Sequence, residues 1–212
     1  MKIPFFPNTG DGTHCFQAVL KMALAALRPD KEYSYDFLDK ISNKQEGKWT
    51  WPTSAFLWLI DEGFEVRLIE EFDYAKFAAE GTDYISKKYG AEIARAQEQN
   101  SDIEAERKFA RSFLTVADIS KRVPELEDIS ELIAKNKIVI VNINSSALSG
   151  ISGYSAHFVI VTEVMKNKVK IHDPGMPPNP DLVVSRSDFE RAWAYPSERN
   201  KNVLAIGLKV DV

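Results

Sequence analysis

One cysteine and three histidines are the residues of this chain best suited to covalent chemistry: Cys15, His14, His157 and His172. Cys15 follows a glycine-punctuated loop in GDGTHCFQAVLKMALAAL, and apolar residues then recur at Phe16, Val19, Leu20, Ala23, Leu24 and Leu27. That spacing predicts an amphipathic helix with Cys15 in its first turn. A thiol there lies at the positive end of the helix dipole among unpaired backbone N–H groups, and both favour thiolate over thiol. The same N–H groups can hold an oxyanion. A free cysteine buried as a small hydrophobe looks identical at this level, so the chemical reading depends on the partners.

A thiolate nucleophile needs a base beside it and a third group to orient that base. His14 adjoins Cys15, but successive helical side chains point about 100° apart, so it should aim elsewhere. His172 sits next to Asp173 on a predicted strand, where alternation sends the two side chains to opposite faces. His157 opens the run AHFVIVTEV after the loop SGISGYSA, and can reach a neighbouring helix end. Asp173 ends the next run, KVKIHDP. Antiparallel pairing brings the start of one strand to the end of the next, so His157 and Asp173 can meet at one rim of the sheet. Pro174-Gly175 then turns the chain away from that rim. An aspartate before Pro-Gly can equally be a plain turn former.

The elements that must position these residues read as helices first and strands later. SYDFLDKIS has Ser34 as a cap, and WTWPTSAFLWLIDEG predicts a helix capped by Thr50 or Thr53 and ended by Gly63. A strand is expected over 65–70. Residues 72–112 are rich in Ala, Glu, Lys and Arg with a thin apolar stripe. They predict two charged, largely exposed helices broken near Gly90 or around Gln99–Ser101, a helical insertion that is either simply solvated or a lid or substrate-selecting arm. ISELIAKN reads as a short helix, and IVIVNIN (138–144) as a central β-branched strand. Lys166-Asn167 makes a tight turn between the His157 and Asp173 strands. LVVS, the helix RSDFERAWA with Phe189 and Trp193 stacked at i,i+4, and a last strand NVLAIGLKV follow. Helices followed by an antiparallel sheet argue for α+β.

Composition bounds the rest. The chain has 212 residues, 44% of them hydrophobic, which suits one domain over 1–212 with one sizeable insertion. A net charge of −4 and a pI near 5.5 favour neither nucleic acid nor an anionic membrane as partner. A lone cysteine suits a reducing compartment, the N-terminus MKIPFFPNTG lacks a signal-peptide core, and no apolar run approaches the ~20 residues of a membrane span. The expectation is a cytoplasmic protein. Without CxxC or HxxxH, no metal is expected, and no cofactor is implied.

With those residues in hand, the chain resembles the papain-like cysteine peptidase superfamily: a cysteine heading an N-terminal helix, then HFVIV, then a strand ending in DP. Within it, WTWPTSAFLWLIDEGFEVRLI and SRSDFERAWAY look like the bacterial branch related to the domains that remove double-glycine leaders from bacteriocins. The likeness covers about residues 4–70 and 129–210; 72–112 has no counterpart in it. The resemblance implies a papain-like fold, with the nucleophile helix of a helical half packed on a C-terminal antiparallel sheet. It implies Cys15, His157 and Asp173 as nucleophile, base and orienter. That branch carries a glutamine shortly before the cysteine, completing the oxyanion hole. Here Thr9 stands there with Asn8 beside it, and Phe16 replaces a frequent glycine. Asn8 is therefore the candidate side-chain donor.

Three functions share these features. A cysteine hydrolase would cleave a peptide or amide bond through a Cys15 thioester. An acyltransferase on the same fold would hand the thioester to an amine or thiol. A non-catalytic binding domain would keep the fold with an inert thiol. Oligomeric state and substrate sequence are left open.

Overall fold

The computed structural model describes residues 1–209. In chain order the elements are α1 (Cys15–Leu27), α2 (Tyr35–Ile41), α3 (Thr53–Asp61), β1 (Phe64–Glu70), α4 (Tyr74–Glu80), α5 (Thr82–Tyr89), α6 (Ala91–Asn100), α7 (Ile103–Phe113), β2 (Asp118–Ser120), α8 (Leu126–Ala134), β3 (Ile138–Asn144), α9 (Ser145–Leu148), β4 (Ala156–Val164), β5 (Lys168–Asp173), β6 (Asn179–Ser185), α10 (Arg186–Trp193) and β7 (Asn202–Leu208), with a 3₁₀ turn at Glu198–Asn200. The last strand was expected to reach Val210, which lies outside the described residues.

The strands form one seven-stranded sheet in the order β2-β1-β7-β3-β4-β5-β6. All neighbours are antiparallel except β1 and β2. The sheet is thus not confined to the C-terminal half. β1 comes from the first half and pairs along its length with β7, from Phe64↔Leu208 to Glu70↔Asn202. Short β2, unforeseen in the sequence, extends that edge in parallel.

β3 explains the layering. Its run IVIVNIN is apolar on both faces, as a strand covered on both sides must be. Ile138 and Ile140 face a core with α1, α3 and β1, whereas Val139, Val141 and Ile143 face a second core with α8 and α10. α1 packs on the first face: Phe16, Val19, Leu20, Ala23 and Leu24 are buried, and the Phe16 ring meets Phe158 of β4 edge-on at 5.1 Å. On the second face Phe189 and Trp193 are fully buried 5.7 Å apart, and the Trp193 indole N–H donates to the Asn202 carbonyl (2.8 Å). Burying that ring without a partner for its N–H would carry a desolvation penalty.

Local signals hold at most ends. The Ser34 hydroxyl accepts from the Phe37 N–H, and the Met165 N–H bonds the Lys168 carbonyl around the Lys166-Asn167 turn (2.9 Å). The start of α3 is a correction: Pro52 occupies the cap without a side-chain bond, and neither Thr50 nor Thr53 caps. Thr53 instead lies buried inside the helix.

Residues 72–112 form the larger correction. They make four helices, α4 to α7, broken at Gly81, Gly90 and Ser101-Asp102. Gly81 and Gly90 take φ of +59° and +93°, conformations that glycine reaches without penalty. Nor is the stretch largely exposed. Phe72, Tyr74, Phe77, Tyr84, Ile85, Ile93, Ile103 and Phe113 are buried in the same core as α1. Each short helix contributes only a few anchors, so the stripe looks thin along the sequence, but the anchors converge: Phe72 lies within 5.3 Å of the rings of Tyr74, Phe77 and Tyr84. A truncation such as Phe113→Ala is therefore expected to cost about 3–5 kcal/mol in a urea titration, against under about 0.5 kcal/mol for a solvated arm.

One buried acid in this layer makes the stability pH-dependent. Glu106 on α7 is 5% exposed, and one of its carboxylate oxygens has no partner among the described residues. Burial pushes its pKa from 4.5 to about 8, against a hydrogen bond from the Thr53 hydroxyl, with Asp102 adding to the rise. The folded protein then holds a proton that the unfolded chain releases near 4.5, so this group's stabilisation is complete below that pH and lost as pH rises towards 8. Glu106→Gln is expected to flatten the fall in Tm between pH 5 and 8 and to raise Tm at pH 8.

Candidate active site

Cys15 opens α1 and is half-buried. The first backbone bond of the helix runs from the Ala18 N–H to the His14 carbonyl (2.9 Å), so the N–H groups of Cys15, Phe16 and Gln17 precede the intrahelical ladder. The N–H groups of Phe16 and Phe158 hydrogen-bond the Cys15 sulfur, as does the His157 side chain. Burial pushes the Cys15 thiol up, but His157, by hydrogen bond and charge, and those two N–H groups outweigh it and hold the pKa below the ordinary thiol value.

His157 sits on β4 opposite Ile143 of β3, at the end of the strand nearest Cys15, and is buried. Its Nε2 lies 2.6 Å from Oδ1 of Asp173, which leaves Nδ1 for Cys15. Burial pulls the imidazole pKa down, and the partners Asp173 and Cys15 reverse this, lifting it to about 10. Burial raises the Asp173 carboxyl, while His157 and the Gly175 N–H draw it below its ordinary value. The three shifts have the signs of one charge pattern: thiolate, imidazolium, carboxylate.

The rim geometry follows from β4 and β5. Their ladder pairs Ile160 with His172, so Asp173 stands at the end of β5 beside the start of β4. Pro174-Gly175 does more than turn the chain. The Gly175 N–H donates to Asp173 Oδ1 (2.8 Å), and a Cβ at Gly175 would sit 2.8 Å from that oxygen and 3.3 Å from His157 Nε2. Only glycine fits there. The Pro174 carbonyl accepts the Asn8 N–H (2.8 Å), tying the loop before Cys15 to the turn after Asp173.

The other histidines have structural partners. His14 points away from the thiol, with Nδ1 on the Thr9 hydroxyl (2.6 Å) and Nε2 on Asp39 (3.2 Å). His172 is buried on the opposite face from Asp173. Its Nε2 meets the Ile3 carbonyl (3.2 Å), and its Nδ1 accepts the Asp181 N–H (3.1 Å). Asn8 braces the loop: its side-chain oxygen accepts the Thr9 and His14 N–H groups (2.9 and 2.8 Å). Its Nδ2 is thereby left over as a donor, although Asn8 is not among the residues lining the cavity beside Cys15.

That cavity, about 280 Å³, is lined by Cys15, His157, Trp49, Trp51 and Tyr154. The helices of 72–112 supply a wall of it through Tyr74, Ile85, Tyr89 and Gln97. The sequence pattern of this stretch singles out none of these residues. The signal was present as aromatic residues at widely spaced positions, legible only once the helices were folded together.

No sequence-family model matches the chain, and no curated protein matches it in sequence. Its fold aligns with the crystal structure of the peptidase domain of Streptococcus ComA, a bi-functional ABC transporter involved in a quorum-sensing pathway. The alignment covers 98% of this chain and 100% of that one, with a TM-score of 0.52 and 15% identity. The fold is that of a papain-like cysteine peptidase domain. Among the described residues no helix is long and apolar enough to cross a membrane.

The charge pattern has a direct test. Iodoacetamide is expected to alkylate Cys15 with a midpoint well below pH 8.5, the value of a free thiol. His157→Gln should move that midpoint up by more than one unit, whereas His14→Gln and His172→Gln should not. A wild-type midpoint at or above 8.5 removes the thiolate.

Proposed function

We propose that the protein is a cysteine hydrolase that cleaves a peptide or amide bond through a Cys15 thioester. The observation that carries this reading is the buried imidazole held between a thiol and a carboxylate, 2.6 Å from the latter, at the mouth of a cavity. An inert core cysteine would need none of it, and burying so many polar groups is unfavourable unless they are paired.

In this reading the Cys15 thiolate attacks the carbonyl carbon. The Cys15 N–H receives the oxyanion, with Asn8 Nδ2 as the side-chain donor. His157, already protonated through Nδ1, delivers that proton to the leaving amine and becomes neutral. A water then loses a proton to His157 and attacks the thioester, releasing the acid and restoring the thiolate–imidazolium pair. Asp173 keeps Nε2 protonated and the ring aligned.

Peptidyl vinyl-sulfone probes are expected to leave a mass-mapped adduct on Cys15, and fluorogenic peptide amides to be hydrolysed by the wild type but not by Cys15→Ala. Alkylation by iodoacetamide without any vinyl-sulfone adduct or turnover would reject the hydrolase. Asp173→Asn should lower turnover by less than the roughly 10⁴-fold loss of a Ser-His-Asp triad, because the thiolate–imidazolium pair is charged before substrate arrives. Asn8→Asp separates bracing from oxyanion binding, since it keeps both accepted N–H bonds and removes the donor. Turnover should fall on the order of 10²-fold with Tm and the alkylation midpoint unchanged; unchanged turnover leaves Asn8 a brace only.

A further inference from the structure

The cavity beside Cys15 contains one carboxyl group that the proposed chemistry does not use. Glu70 is the last residue of β1. Alternation along that strand buries Phe64, Val66 and Leu68 in the core shared with α1, and Glu70 is next on the same face. An acid at an inward position is unusual. Here it is accommodated because the core opens at that point into the cavity, which Glu70 lines. One carboxylate oxygen accepts the Tyr74 hydroxyl (2.8 Å), and the other has no protein partner among the described residues.

No lysine or arginine lines the cavity. Lys88, whose charge acts on Glu70, is engaged elsewhere, its Nζ donating to the backbone carbonyls of Glu71 (3.3 Å) and Arg199 (3.1 Å), and His157 is paired with Asp173. Five aromatic rings line the remaining walls, Trp49, Trp51, Tyr89, Tyr154 and Tyr195, the last two stacked at 6.2 Å, among uncharged amides and hydroxyls such as Gln97 and Asn142. Burial pushes the Glu70 carboxyl up, against the Tyr74 hydroxyl and the Lys88 charge, and among the described residues no cation forms an ion pair with it. Aromatic faces around a lone carboxylate complement one kind of ligand, an alkyl chain ending in a positive charge.

We propose that Glu70 and the aromatic walls form a subsite for a cationic side chain of the substrate, an alkylammonium or guanidinium of the lysine or arginine type. This rests on the hydrolase reading only in calling the ligand a substrate; cation binding itself needs no thiol chemistry.

Isothermal titration with n-butylammonium, n-butanol and butanoate tests it on the intact protein. The cation is expected to bind the wild type at least tenfold more tightly than the alcohol, with butanoate weakest, and to slow iodoacetamide alkylation of Cys15. Glu70→Gln should abolish the preference for cation over alcohol, and Glu70→Asp should keep it. Equal binding of cation and alcohol by the wild type overturns the proposal, and this comparison needs no variant to fold. A preference that survives in Glu70→Gln also overturns it, since the cation then binds elsewhere. Cys15→Ala should keep the preference. Cation selectivity alongside an unreactive wild-type thiol would reject the hydrolase and leave the subsite, whereas an active enzyme that ignores charge would do the reverse.

Discussion

A buried imidazole with an acceptor on each side is the arrangement on which the rest of this molecule depends. Taken alone, burial would strip His157 of its charge. The carboxylate of Asp173 at 2.6 Å and the sulfur of Cys15 reverse that, and the imidazolium in turn lowers the pKa of both neighbours. The imidazole and the carboxylate are tolerable in the interior because each is paired. The three come from a helix start, a strand start and a strand end, so the requirement is one of placement, met by packing α1 on β4 and pairing β4 with β5.

That placement is reinforced by backbone contacts that carry no chemistry. Gly175 approaches Asp173 and His157 more closely than any side chain would allow, and its N–H takes up one lone pair of the carboxylate. The Asn8 N–H holds the Pro174 carbonyl while the Asn8 side chain gathers the N–H groups of Thr9 and His14. The loop before Cys15 and the turn after Asp173 thus form one hydrogen-bonded unit, and a shift in either would move the distance between sulfur and imidazole.

The helices of residues 72–112 tie stability to the site. They share a core with α1 and wall the cavity. They also bring an unfavourably buried acid, Glu106, and stand beside a half-buried one, Glu70. Glu106 sits in packed core with little to offset it, whereas Glu70 opens onto the cavity, where a ligand can offset it. Buried acids of this kind are tolerated when neighbouring apolar contacts over-stabilise the layer, and the aromatic cluster around Phe72 is placed to do that.

Much was legible in the sequence because it is governed by local rules. The Cys15 helix, the Ser34 cap, the two-residue turn at Lys166-Asn167 and the doubly buried strand 138–144 follow from periodicity, capping and β-branching, which act over a few residues. The separation of His157 from His14 and His172 followed from side-chain direction in helices and strands. Tertiary structure decided what depends on convergence. Short helices with few apolar residues each look solvated until packed together, which is why 72–112 was misjudged in number and exposure. A three-residue strand such as β2 has too little pattern to register and exists because β1 offers it an edge. Thr53 is buried at the start of α3 and so does not cap it, and Pro52 takes the cap position. Whether a polar residue at an inward position, such as Glu70, meets core or cavity is set by what packs opposite it, and no local pattern in the chain encodes that.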